Sequence, residues 1–367
     1  MHVTNASSES DARRKNLLLV GAHGVIGRAM TEHFVGLEPW SLTTAARRGA
    51  VTGLDVRGGT PPSALSVDLL DPRAATARLA EARSTTHLVY AAYVERPTMA
   101  ETVAPNVAML ANTLDGLAQA GAPLEHVVLV GGGKSYGEHL GPYKTPAKES
   151  DPRFLGPIFY NDQEDLLLDR AAKYGFKWTV LRPDAVIGFS VQSPMNLLMS
   201  IAVYAAISKD AGVPLRFPGK HGTWSALHQI TDAGLFARAA EWALTSPAAA
   251  GQIFNVTNGD LFRWQHLWPE IAAFFDMPAA PPQPMSLVDQ MADKEPRWNQ
   301  LVARHGLVPT PWSQVASWGF ADAVFGMEFD LVQSTIKIRK AGFHGAEDSH
   351  ESVLAHLARL RREKYIP

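Results

Sequence analysis

The chain contains no cysteine among its 367 residues. That excludes disulfides, thiolate metal sites and cysteine nucleophiles. Charge of either sign is also scarce in excess: the formal net charge is −2, so nothing favours nucleic acid or an anionic membrane as a partner. The longest apolar stretch, Leu197 to Ile207, is too short to span a bilayer. Residues 1–15 are polar, end in Arg13-Arg14-Lys15 and lack an apolar signal core; they read as a flexible arm, and a cytoplasmic soluble enzyme is the expectation. His221, His228 and His266 show no metal-ligand spacing, so no metal is expected.

What is present begins with Gly21-Ala22-His23-Gly24-Val25-Ile26-Gly27. These residues follow the apolar run Asn16 to Val20 and open a helix-like stretch, Val25 to Phe34. Glycines at a strand-to-helix turn let the backbone turn tightly and approach a pyrophosphate. The free N–H groups of the helix start then face the phosphates. His23 is better read as a backbone contact to phosphate than as a base.

The second strand candidate, Trp40 to Ala46, ends in Arg47-Arg48. NAD-binding chains usually carry an acidic residue there to hold the ribose hydroxyls. Two guanidiniums suit a 2′-phosphate instead, which makes NADP(H) the expected cofactor. Asp68, at the end of the third strand candidate, can contact the adenine amino group or cap the helix near Asp71-Pro72.

Further along, strand-like and helical runs alternate: Thr86 to Ala92, Thr102 to Ala120, Leu124 to Val130, Asp162 to Tyr174, Trp178 to Ile187. This order means an α/β fold with a Rossmann-type doubly wound parallel sheet. Beyond Phe189 the alternation stops. Helices are expected over Met195 to Lys209, Asp232 to Leu244 and Leu267 to Phe275, short strands at Leu215 to Phe217 and Ile253 to Val256, and a proline-rich linker over Met277 to Pro284. The expected domains are a nucleotide-binding unit over 16–190 and a smaller substrate lobe over 191–367, some of whose segments return to the sheet.

This order resembles an extended short-chain dehydrogenase/reductase, in which a tyrosine with a lysine four residues later shuttles a proton. No tyrosine here has that lysine: residues Val94, Pro97, Leu140, Ala147, Glu164, Trp178 and Ser208 occupy the position. In its place stand Gly132-Gly133-Lys134-Ser135-Tyr136-Gly137, Phe159-Tyr160-Asn161-Asp162-Gln163-Glu164-Asp165, Leu181-Arg182-Pro183-Asp184 through Ser190, and Ser193-Pro194-Met195-Asn196. With Asn106-Val107-Ala108-Met109-Leu110, Phe254 to Asp260 with Trp264, Lys294-Glu295-Pro296 with Trp298, and Gly306-Leu307, these motifs are similar to the progesterone 5β-reductase/iridoid synthase family of atypical short-chain reductases. The similarity runs from about residue 16 to the end.

The resemblance implies NADPH-dependent reduction of the C=C bond of an α,β-unsaturated carbonyl. Such a reaction builds an enolate, which needs preorganised donors rather than a base. The family pattern assigns Tyr160 as the hydrogen-bond donor and Lys134 as a nearby positive charge; a lysine beside Tyr160 would also favour partial phenolate character. Further cofactor contacts are expected from Leu69, Ala92, Tyr93, Val130, Val186, Ser193 and Met195. Tyr93, Phe154, Phe159, Phe189, Trp224 and Phe343 are the candidates for an apolar substrate pocket. The chain departs from the family at Ala91-Ala92-Tyr93, where a tryptophan is usual, and at Asn161, where a second tyrosine is common. A carbonyl or aldehyde reductase and a non-catalytic NADP sensor are the competing readings. The expected partner is a small enone, and a homodimer is compatible with the sequence.

Overall fold

Leu17, Leu18, Leu19 and Val20 are all buried, because both faces of the strand that carries them are covered. That strand, β1 (Lys15–Val20), lies near the middle of a seven-stranded sheet. A computed structural model describes residues 14–54 and 61–367. Most of the N-terminal arm, residues 1–13, thus lies outside the described residues. Lys15, assigned to that arm from sequence, is the first residue of β1 and pairs with Trp40.

The first half of the chain runs β1, α1 (Val25–Phe34), β2 (Trp40–Ala46), β3 (Ser63–Ser66), α2 (Pro72–Leu79), β4 (His87–Tyr90), α3 (Met99–Gln119), β5 (His126–Val130), α4 (Phe159–Tyr174) and β6 (Lys177–Pro183). After β7 (Val186–Ile187) come α5 (Leu197–Asp210), β8 (Leu215–Arg216), α6 (His221–Ser225), β9 (Thr231–Asp232), α7 (Ala233–Thr245), β10 (Gln252–Val256), α8 (Trp264–Phe274) and β11 (Ala279–Ala280). The sheet order is β10-β6-β5-β4-β1-β2-β3, and every pairing in it is parallel. This is a Rossmann-type doubly wound sheet. Its order reverses between β1 and β4, where a crevice opens at the C-terminal strand ends.

Alternation along the strands divides the core. Leu17, Leu19, Val89, Val128 and Leu181 face α1 and α7 through Met30, Phe34, Phe236 and Ala240. Leu18, Val20, Leu88, Val127 and Leu129 face α2, α3 and α4 through Leu79, Leu110, Leu114 and Leu167. A third core, built on α5 and α8 with Phe217, Trp264, Trp268 and Trp298, fills the region beyond the sheet.

Two boundaries move in ways that matter for the site. The run Met277 to Pro284 is not a plain linker: β11 within it pairs in parallel with β8. The helix expected from Asp162 starts at Phe159, which puts Tyr160 in its first turn.

Candidate active site

Gly21 ends β1 with φ +92°, a left-handed conformation that L side chains rarely adopt. A Cβ there would also lie 2.6 Å from the Ala91 backbone. Gly27 lets α1 sit against this turn, since a Cβ on it would overlap the Gly21 carbonyl oxygen. Gly24 is different. It begins α1 with φ −72° and ψ 171°, open to any residue, and its helix end has no side-chain cap. A Cβ on Gly24 would touch only the Gly21 oxygen, at 3.7 Å, and would otherwise point into empty space. That space is the head of a cavity of about 820 Å³ which runs along the C-terminal ends of the strands. The turn thus fits a dinucleotide pyrophosphate, with bare backbone and unfilled N–H groups where the phosphates would lie.

The cavity brings together residues far apart in sequence. On its wall lie Gly21, His23, Gly24, Val25, Ile26 and Gly27 of the turn; Arg47, Arg48, Asp68 and Leu69 beyond β2 and β3; Ala92 and Tyr93 beyond β4; and Val130, Lys134, Tyr160, Val186, Ser193 and Met195. His23 is turned aside: its Nε2 lies 3.0 Å from the Gly49 carbonyl oxygen, and burial pulls its pKa down, so the ring is neutral. Asp68 does not cap α2; its Oδ1 accepts from the Leu70 N–H, while Asp71 caps the helix through the Arg73 and Ala74 N–H groups.

Four of the aromatic residues expected in the pocket do not line it. Phe154 packs on His139, with ring centres 5.0 Å apart. Phe189 is clamped between the Arg28 and Arg359 guanidiniums. Trp224 leans on Phe217 at 5.0 Å, inside the third core. Phe343 packs on Trp242 at 5.8 Å. Phe159 and Tyr93 do line the cavity, with ring centres 5.3 Å apart. The remaining apolar wall comes from Phe262, Trp264, Phe320, Val324, Met327 and Leu331, contributed by the second half of the chain.

Tyr160 lies against the loop after β5. A Cβ on Gly132 would fall 2.7 Å from the Tyr160 ring and 3.1 Å from its hydroxyl oxygen, so only glycine permits this approach. Burial, then the neighbouring Tyr93 and Glu138, push the phenol pKa up. That direction runs against the phenolate character expected from a lysine beside Tyr160. Burial draws the Lys134 pKa down, while Glu138 and Glu95 hold it up.

The motif around these two residues is tied together beneath the cavity. Glu164 accepts a bidentate pair of bonds from Arg182, at 2.9 and 2.7 Å, and a third from Arg153 at 2.7 Å. The Arg182 guanidinium lies 5.0 Å from the centre of the Tyr136 ring, and the Tyr136 hydroxyl donates to Asn255 Oδ1 at 2.6 Å. Asn106 of α3 accepts from the Val94 N–H and donates to its carbonyl, which fixes the segment bearing Tyr93. The Glu of the Tyr-to-Glu-Asp motif therefore holds α4 on β6.

Sequence reasoning assigned no role to Glu138 and Asp184, both on the cavity wall. Burial raises Asp184 from 3.8 to about 7. The folded chain thus keeps a proton there that the unfolded chain releases between about pH 4 and about pH 7. Stability should fall as pH rises through that window. Asp184→Asn should flatten the fall when denaturant midpoints are compared across it; an unchanged pH dependence would contradict the assignment.

Its sequence relatives and family match place the chain among oxidoreductases of the short-chain dehydrogenase/reductase class. Its solved likenesses include a UDP-glucose 4-epimerase from Thermotoga maritima (TM-score 0.67, 14% identity, covering 95% of this chain and 99% of that one). Another is a short-chain dehydrogenase/reductase superfamily protein from Agrobacterium tumefaciens with bound NAD (TM-score 0.63, 16% identity, covering 95% and 97%). Within the class, the chain belongs to the family of the PRISE-like Rossmann-fold domain, which matches residues 23–367. It is 33% identical over 365 residues to an (S)-8-oxocitronellyl enol synthase of Camptotheca acuminata, covering 95% of this chain and 93% of that protein. It is 30% identical over 366 residues to a 3-oxo-Delta(4,5)-steroid 5-beta-reductase of Arabidopsis thaliana, covering 95% and 92%. Among the described residues no helix is long and apolar enough to cross a membrane.

Proposed function

We propose that this protein reduces the C=C bond of an α,β-unsaturated carbonyl with NADPH. The observation that carries the reading is that Tyr160 and Lys134 line one cleft, although no tyrosine of the chain is followed by a lysine four residues later. The name of the Arabidopsis relative describes a reductase of a conjugated ketone, and the Camptotheca relative is named for an enol product.

The residues along the strand ends would hold a reduced nicotinamide, which would supply the hydride that adds to the β-carbon. Negative charge then gathers on the carbonyl oxygen. Tyr160 donates a hydrogen bond from its O–H to that oxygen, Lys134 adds positive charge nearby, and the α-carbon of the enolate takes its proton from solvent. A phenol held protonated by burial suits this role better than one tuned to exchange protons near neutral pH. The test is product identification after NADPH oxidation with cyclic and acyclic enones. Saturated carbonyl compounds support the reading; allylic alcohols indicate carbonyl reduction instead.

Arg47 and Arg48 support NADPH over NADH. Both reach the cavity where β2 ends, and no acidic residue follows β2 there. Arg48 donates to Gln192 Oε1 at 2.6 Å, which holds it against the opposite wall. Replacing both by Ala should remove charge-assisted bonds of about 1.5–3 kcal/mol each from NADPH binding and leave NADH binding nearly unchanged. Equal use of the two cofactors by the unmodified protein would contradict this.

A further inference from the structure

Beside Lys134 and Tyr160 the cavity wall carries further polar groups. Glu138, 8% exposed, and Asp184 both line it. Among the described residues, Asp184 Oδ2 has no hydrogen-bond partner, and Glu138 Oε2 and the amide of Gln333, which is 1% exposed, have none besides each other. A Cβ on Gly133 would collide with both Glu138 Oε2 and Gln333 Nε2, so these atoms meet over that glycine. The buried carboxylate of Glu164, by contrast, is fully engaged by two arginines. A buried polar atom left without a partner costs about 1–3 kcal/mol. The fold satisfies its structural acid and leaves these atoms open beside a cavity.

The chemistry of the gap selects a ligand group. Burial raises the proton affinity of Glu138 and of Asp184, and the Asp184 charge raises that of Glu138 further, so the two do not both ionise at neutral pH. The other titratable groups that face them are Lys134, Tyr160 and Tyr143. A second carboxylate would be repelled by the acids, and an ammonium group would meet Lys134. A hydroxyl, neutral and able to donate and accept, matches both. The wall of Phe262, Trp264, Phe320, Val324, Met327 and Leu331 suits an apolar skeleton.

We propose that Glu138 and Asp184, with Gln333 behind them, form a second anchor that takes a hydroxyl carried by the substrate apart from its conjugated carbonyl. This rests on the enone reading for the carbonyl end alone.

The test is equilibrium binding to the protein saturated with NADP+, followed by calorimetry, with no turnover. The probes are cyclohexenones bearing a hydroxyl on arms of graded length, their methyl ethers, and cyclohexenone without an arm. An ether accepts but cannot donate. At the arm length that spans the gap, the alcohol should bind about 10-fold tighter than its ether. The ratio should fall to near one in Glu138→Met and in Asp184→Leu, while the armless probe keeps its affinity. Equal binding of alcohol and ether at every length overturns the anchor, and that comparison needs no variant. A preference that survives both substitutions overturns it too. Failure of every probe, the armless one included, overturns the enone reading and the anchor with it.

Discussion

Tyr160→Phe should lower kcat by about 10²–10³ while leaving NADPH binding nearly intact, the usual cost of one lost donor to a developing oxyanion. The substitution removes one oxygen and little else. The ring still packs on Phe159, with centres 4.2 Å apart, and still lies against Gly132. A stability effect is therefore not expected to masquerade as a kinetic one. Small, strongly activated enones should suffer least, because hydride transfer itself needs no proton from Tyr160. Lys134→Met should act on the same step with a smaller, substrate-dependent effect. The double variant should fall short of the product of the singles, since both groups serve one oxygen. Full rates in Tyr160→Phe with every substrate would reduce Tyr160 to a packing aromatic.

Gly24→Val should weaken NADPH binding by about 100-fold or more, because the new side chain takes the space of the pyrophosphate. Its backbone angles are ordinary and its Cβ direction is open, so the folded state should tolerate the change. Thermal unfolding without cofactor should barely move. Gly27→Val provides the contrast: there a Cβ strikes the Gly21 backbone, and the fold itself should suffer. A folded Gly24→Val protein with unchanged NADPH affinity would show that the phosphates lie elsewhere.

Much of this was legible in the sequence where a local rule governs. The glycine turn, α1 and β2 follow from chain stiffness and hydrophobic pattern. The true start of α3 was legible too, in the capping box of Thr98 and Glu101, although Pro105 inside the helix hides its first turn. The start of α4 was not, because Ile158 gives it no side-chain cap. Nor was β11, whose two alanines pair through backbone alone. Composition could not separate Phe159, on the cavity wall, from Phe154, Phe189 and Phe343, which pack elsewhere. Both environments select the same residue type. Glu138 looks like any loop acid in sequence, and only the fold shows it buried. Asp184 did carry a signal, since it follows β6 at the strand ends where ligands bind.

The central claim is the site of hydride delivery, and isotope placement tests it directly. With NADPH deuterated at the transferred position and an enone that the protein consumes, the account predicts deuterium at the β-carbon of a saturated carbonyl product, read by NMR. Deuterium on the former carbonyl carbon, in an allylic alcohol, would contradict it.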